Sequence, residues 1–216
     1  MLDVVLGRPG APLRILCLGA HCDDIEIGCG GTVLRLLAER PGSTVHWLVL
    51  SSDPAREREA RASAAAFLAD APGSDVFIKQ FRDGYLPFQG SEIKDVFEET
   101  KRETRPDLIL TPHRHDRHQD HRLVAEMTWN TYRNHLIAEY EIPKYEGDLG
   151  QPNVFVPLSA ATVRRKIDLI VRSFPSQANR SWFRPETFEA VLRLRGIECN
   201  AGEGFAEAFH VSKLVI

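Results

Sequence analysis

The sequence predicts an α/β protein: a Rossmann-like, mostly parallel sheet flanked by helices, forming a single domain over residues 1–216. Three observations lead there. Apolar runs of strand length alternate with longer helical patterns, the order of βαβ units. No repeat, low-complexity segment or linker-like stretch divides the chain. The residues richest in chemistry directly follow two of the apolar runs, and open α/β sheets bind ligands outside the carboxyl ends of their strands.

The elements follow in order. Leu13 to Leu18 reads as a buried strand, and Thr32 to Arg40 as a helical pattern closed by Pro41-Gly42. Thr44 to Leu50 is a second strand, followed by a charged, alanine-rich helix over about 55–69. Val76 to Phe81 is a third strand and Gly84 to Gly90 a loop, after which Ser91 is expected to cap a helix running to about Thr104. Asp107 to Thr111 is a fourth strand, ahead of a histidine-rich loop and a helix from about Arg122 to Leu136. The last third changes character. Ala138 to Tyr145 and Asn153 to Leu158 read as strands, Ser159 as the cap of a helix over 160–173, and Pro185 to Arg195 as a helix with proline in its first turn. Val211 to Ile216 is apolar enough for a terminal strand or packed tail.

The stretch Leu18 to Gly31 carries His21, Asp23 and Asp24 where the first strand hands over to the first helix. His21 offers an imidazole and Asp24 a hard carboxylate. Three residues apart in one turn, they can converge on one cation, and zinc in catalytic sites takes three N/O ligands and leaves a position open. Asp23, between them, leaves in another direction, as a general base beside a metal must. A third ligand must come from elsewhere. The outstanding source is His113 to His121, which holds four of the eight histidines and also follows a strand.

Ala20-His21-Cys22-Asp23-Asp24 resembles the A-H-P-D-D motif of the LmbE-like (PIG-L type) zinc deacetylases, and His118-Gln119-Asp120-His121 resembles their H-x-D-H motif. Gly28-x-Gly30-Gly31 fits the glycine turn after the first motif, and Ala206-Glu207-Ala208-Phe209 resembles a late one. The resemblance runs from about residue 13 to about residue 210. One departure is Cys22, where the family usually has proline; it bears on loop rigidity or on a thiol near the metal.

The resemblance implies a hydrolase removing an N-acetyl group from a glucosamine-type sugar or its conjugate. His21, Asp24 and His121 would hold Zn2+, and Asp23 would take the proton of the activated water. His118, as an imidazolium, would support the oxyanion, with Asp120 orienting an imidazole. Either Asp23 or His118 would protonate the leaving amine. Arg56, at the start of the helix after the second strand, would reach the substrate; its plainer reading is a salt-bridged helix face. Asp116 and Arg122 also match the family pattern, or simply order their loop. A His₂Asp site also accepts Fe2+ or cobalt, and availability then selects. A zinc amidase acting on a non-sugar amide and a non-catalytic zinc- or sugar-binding protein remain alternatives.

Other features read more plainly. His113 and His115 match no ligand position and are expected in a solvated loop. Gly28-Cys29-Gly30-Gly31 is not a dinucleotide fingerprint, because Val33 holds the place of the third glycine. Trp182, Phe183 and Phe205 are expected to pack rather than stack on sugars. Charged residues are 26% and hydrophobic ones 43%, with a net charge of −3, so no basic field points to nucleic acid. No apolar run reaches the roughly 20 residues a membrane helix needs. The start does not resemble a signal peptide, and Cys17, Cys22, Cys29 and Cys199 are too scattered for a secreted disulfide framework. The cytoplasm is the expected location, and a homo-oligomer is left open.

Overall fold

The computed structural model describes residues 4–215. Five parallel strands form one side of the sheet: β1 Arg14–Gly19, β2 Thr44–Ser51, β3 Asp75–Phe81, β4 Leu108–Pro112 and β5 Ile137–Tyr140. Two antiparallel strands, β6 Val154–Pro157 and β7 Ala206–His210, complete the order β3-β2-β1-β4-β5-β7-β6. The helices are α1 Asp24–Glu39, α2 Pro54–Phe67, α3 Gly90–Glu103, α4 Gln119–Thr131, α5 Ala160–Ser173 and α6 Pro185–Glu198.

Both sheet faces are covered, because alternate side chains of one strand point to opposite faces. Ile15 and Cys17 of β1 join a core with Phe67 of α2, Ile170 of α5 and Leu192 of α6. Leu16 and Leu18 join another with Phe97 of α3 and Val124 of α4. None of the described helices is long and apolar enough to cross a membrane. The chain runs outward from β1 to β2 and β3, then crosses back to place β4 on the other side of β1. The gap between the β1 and β4 loops is therefore the switch point of the sheet, where crevices form.

The β1–β5 frame agrees with the reading from sequence, but several boundaries shift. The first helix starts at Asp24, not near residue 30 or 32, so Asp24 lies in its first turn and Asp23 at its N-cap. Gly28, Gly30 and Gly31 are inside that helix and form no turn. Helix propensity disfavours them there, but packing requires them. A Cβ on Gly28 would stand 2.1 Å from the Tyr140 ring, and one on Gly31 2.5 Å from Leu158.

Ser91 is not a cap. Its helix continues from a 3₁₀ turn at Leu86–Gln89, and its hydroxyl donates to Glu92 Oε2 at 2.7 Å. The helix expected from Arg122 to Leu136 spans Gln119–Thr131, capped by the imidazole of His118. The fifth strand stops at Tyr140 rather than Tyr145. Ser159 does cap α5, accepting from Thr162 N at 3.1 Å. The terminal strand lies at Ala206–His210 instead of Val211–Ile216. Within that expected span, residues 211–215 form no strand, and Ile216 lies outside the described residues.

That unforeseen strand carries the late motif. Glu207 and Lys166 pair at 2.6 Å with both side chains 2% exposed. Lys166 Nζ also donates to Ile27 O at 2.7 Å, while Glu207 accepts from Gly31 N at 2.7 Å and Thr32 N at 2.6 Å. A helix carbonyl and the N–H four residues on normally bond to each other. Here an ion pair from α5 and β7 grips both groups of that rung. The glycine at position 31 lets Glu207 reach it, since a Cβ there would lie 2.8 Å from Glu207 Oε1.

Candidate metal centre and active site

Four parallel strands deliver the site from their carboxyl ends. His21 to Asp24 follow β1, Arg56 starts α2 after β2, Asp83 follows β3, and Asp116 to His121 follow β4. The α1 start is shaped by Asp24, whose Oδ2 accepts from Ala20 N at 2.9 Å and His21 N at 2.8 Å. Those bonds fold the loop back and leave Oδ1 facing His121 Nε2 at 3.3 Å.

His21 Nδ1 lies 3.1 Å from His121 Nε2 and 3.5 Å from Asp24 Oδ2. Two donors on a tetrahedral zinc with bonds of about 2.0–2.1 Å stand about 3.3–3.4 Å apart. Of the expected ligands, the two histidine nitrogens stand at about that spacing, and each faces a different oxygen of Asp24. Each imidazole is also held from behind. His21 Nε2 lies 3.1 Å from Asp83 and 3.3 Å from Asp120, and His121 Nδ1 bonds Asp116 at 2.8 Å. Among the described residues, the groups whose donor atoms gather within 4.8 Å of one another are His21, His118 and His121, and His21, Asp83 and Asp120; Asp24 is in neither. Yet His118 spends Nδ1 on its cap, and Asp83 is largely exposed.

The electrostatics match a cluster that attracts a cation. Burial alone would lower both histidines. Nevertheless Asp24, with Asp120 and Asp83, holds His21 well above the ordinary imidazole range. Asp24 and Asp116 likewise lift His121 to about 9 against its burial. Asp24 is pulled well below the carboxylate range by the two imidazoles, despite burial. A metal would replace the protons those imidazoles hold.

Asp23 faces away from this cluster. Its Oδ1 bonds Arg56 Nη2 at 2.9 Å. Burial raises Asp23 above the ordinary carboxylate value, and Arg56 opposes the rise. Arg56 is therefore a partner of Asp23 rather than a member of an exposed helix face, and its Nε is buried without a hydrogen-bond partner among the described residues.

Asp120, expected to orient an imidazole, stands against that of His21: one carboxylate oxygen faces His21 Nε2, and the pair accepts from Gly84 N at 2.7 Å and Leu86 N at 3.2 Å. One expectation changes. His118 is not set up as an imidazolium. Its Nδ1 accepts from Asp120 N at 3.3 Å, which puts the proton of the neutral ring on Nε2. Burial, with His21 and His121 nearby, lowers its pKa below the ordinary value.

The Cys22 thiol points away from the metal side, donating to Ser51 O at 3.5 Å, and burial pushes it up to about 12. His113 is not a solvated loop residue: it bonds Glu139 at 2.9 Å and stacks on His210 at 3.8 Å. His115 is exposed. Phe183 and Phe205 are core residues, and Trp182 packs against that core. Asp83 was invisible in the sequence, since nothing marks it apart from other loop acids. Its place directly after β3, at the same edge as the two motifs, was the available signal.

The fold and cluster define a class: an α/β protein with a buried His/Asp centre at the switch point of a parallel sheet. Residues 16–132 match the model of the PIG-L family, described as GlcNAc-PI de-N-acetylase, and the chain belongs to that family. Solved structures share the fold. A conserved protein from Thermus thermophilus is 23% identical with a TM-score of 0.74, over 94% of this chain and 96% of that one. The N,N'-diacetylchitobiose deacetylase of Pyrococcus horikoshii is 20% identical with a TM-score of 0.69, over 92% and 83%. The 4-carboxy-2-hydroxymuconate hydratase of Pseudomonas putida is 16% identical with a TM-score of 0.71, over 94% and 98%.

Proposed function

We propose that this protein is a metal-dependent N-deacetylase, with zinc as the expected metal, acting on the N-acetyl amide of a glucosamine-type sugar or conjugate. The observation that carries this is the convergence of His21, Asp24 and His121 beside an acid, Asp23, that bonds Arg56 instead of them. His21, Asp24 and His121 would hold the ion. Bound zinc would supply Lewis acidity towards the amide oxygen and would lower the pKa of a water.

The chain's own residues account for the proton transfers. Asp23 takes the proton of the attacking water, and its burial moves its pKa towards working pH, as a general base requires. Arg56 favours the charged form of that carboxylate, and its guanidinium is assigned to reach the substrate. His118 offers its Nε2–H to the developing oxyanion as a neutral donor. A neutral imidazole is a poor acid, so Asp23 is assigned the return of the proton to the leaving amine. Asp120 and Asp83 hold the His21 ring in place.

A deacetylase and a hydratase resemble this fold equally well, so the chemistry rests on residues and not on the fold. The test is acetate release from a panel of N-acetylglucosamine derivatives by zinc-loaded protein, with chelated protein as control. Metal-dependent release is the expected result. No release by protein carrying one zinc per chain would overturn the deacetylase reading and favour a non-sugar amide or a hydration reaction.

A further inference from the structure

One charged residue beside this site has no place in either motif. Lys144 follows β5, and its side chain is only 9% exposed. Its ammonium donates to Asp116 Oδ2 at 2.8 Å, to both oxygens of Asp148 at 2.8 and 2.9 Å, and to Ile142 O at 3.3 Å. Asp116 Oδ2 is the same atom that accepts from His121 Nδ1 at 2.8 Å. The other oxygen, Oδ1, accepts from His118 N at 2.7 Å. One carboxylate therefore sets both histidines of the second motif, and Lys144 sets the carboxylate.

We infer that Lys144 is a positioning residue for the metal centre: by pinning Asp116 Oδ2 it fixes the His121 proton on Nδ1 and so keeps Nε2 free to coordinate. This rests on the proposed metal-site reading. The physical reason is tautomer selection. A neutral imidazole has one N–H and one lone pair, and the hydrogen bond at one nitrogen decides which the other presents. Asp116 is 4% exposed, so its charge has little water to lean on. Without the ammonium it holds only His121 and one backbone N–H, and rotation of the carboxylate would release the proton constraint on His121. Asp148 keeps Lys144 in place and accepts from Arg117 N at 2.6 Å, which ties the 141–150 segment to the histidine loop.

The test compares Lys144→Met and Lys144→Arg with the parent, reading the zinc dissociation constant by competition with a chelating dye. Thermal melting of the metal-free proteins serves as the fold control. Outer partners of metal-ligating histidines are worth about 10–100-fold in affinity, and Lys144→Met is expected to lose that much. Lys144→Arg restores a donor at Asp116 and should recover most of it. Should Lys144→Met fail to fold, Asp148→Asn loosens the same ammonium and should weaken zinc binding by a smaller factor. Parent-like zinc affinity in folded Lys144→Met would overturn the inference. So would a loss that Lys144→Arg does not rescue and that follows a lowered melting temperature. Failure of the parent itself to bind zinc would instead sink the metal-site reading.

Discussion

His21 Nδ1 and His121 Nε2 lie 3.1 Å apart although the two residues are separated by 100 positions. Two nitrogens this close are compatible with a shared proton or a shared cation, and a carboxylate oxygen of Asp24 faces each. The loops after β1 and β4 bring them together because those strands are neighbours in the sheet.

Removing one of these donors should empty the site. Asp24→Ala is expected to lower bound zinc and activity in parallel, because Asp24 also ties down the backbone of residues 20 and 21. Metal analysis on the purified variant, alongside turnover, checks this. Full zinc occupancy in Asp24→Ala would rule out its role as a ligand.

Asp23 should separate metal from chemistry. Asp23→Ala is expected to keep zinc and lose about 10²–10⁴-fold in kcat, the usual worth of a general base. Its partner gives a second readout. Arg56 favours the charged form of Asp23, so Arg56→Met should raise the Asp23 pKa further. The base must be deprotonated to work, and the acid limb of the pH–rate profile should therefore move to higher pH. An unmoved limb would disconnect Asp23 from that titration.

The clamp on α1 makes a prediction about stability. Glu207→Gln leaves the buried Lys166 ammonium without its counter-charge, and breaking one side of such a pair costs about 3–5 kcal/mol. Replacing both, as Glu207→Gln with Lys166→Met, should cost less than the single change because no lone charge remains. Urea unfolding of the two variants orders them, and a single variant as stable as the parent would refute the clamp.

Acid should weaken the β5 end of the sheet. Glu139 is buried, which favours its neutral form, yet His113, Arg114 and Trp129 overcome that and draw its pKa down to about 2 from the ordinary 4.5. A depressed carboxylate contributes stability that is present above its unfolded pKa and lost as pH falls through its folded one. The contribution, on the order of 3 kcal/mol, should disappear between roughly pH 4.5 and 2. Glu139→Gln should flatten stability against pH across that window in denaturant titrations. An acid limb as steep as that of the parent would show that other carboxylates carry it.

The sequence by itself determined the parallel β1–β5 frame, since apolar runs and punctuating prolines and glycines are local signals. It also determined the ligand candidates, because His21, Asp24 and His121 sit within short motifs at strand ends. Only the tertiary structure decided what those residues touch. Reading Gly28, Gly30 and Gly31 as a turn placed the first helix too late, and contacts of Gly28 with Tyr140 and Gly31 with Glu207 explain why the helix keeps its glycines. Asp120 shares a motif with His118 but orients His21, and the backbone N–H groups that anchor it, those of Gly84 and Leu86, come from another strand's loop. Asp83, Lys144 and the partner of Arg56 were likewise invisible, because a charged side chain takes its role from groups that only the fold brings within hydrogen-bond reach.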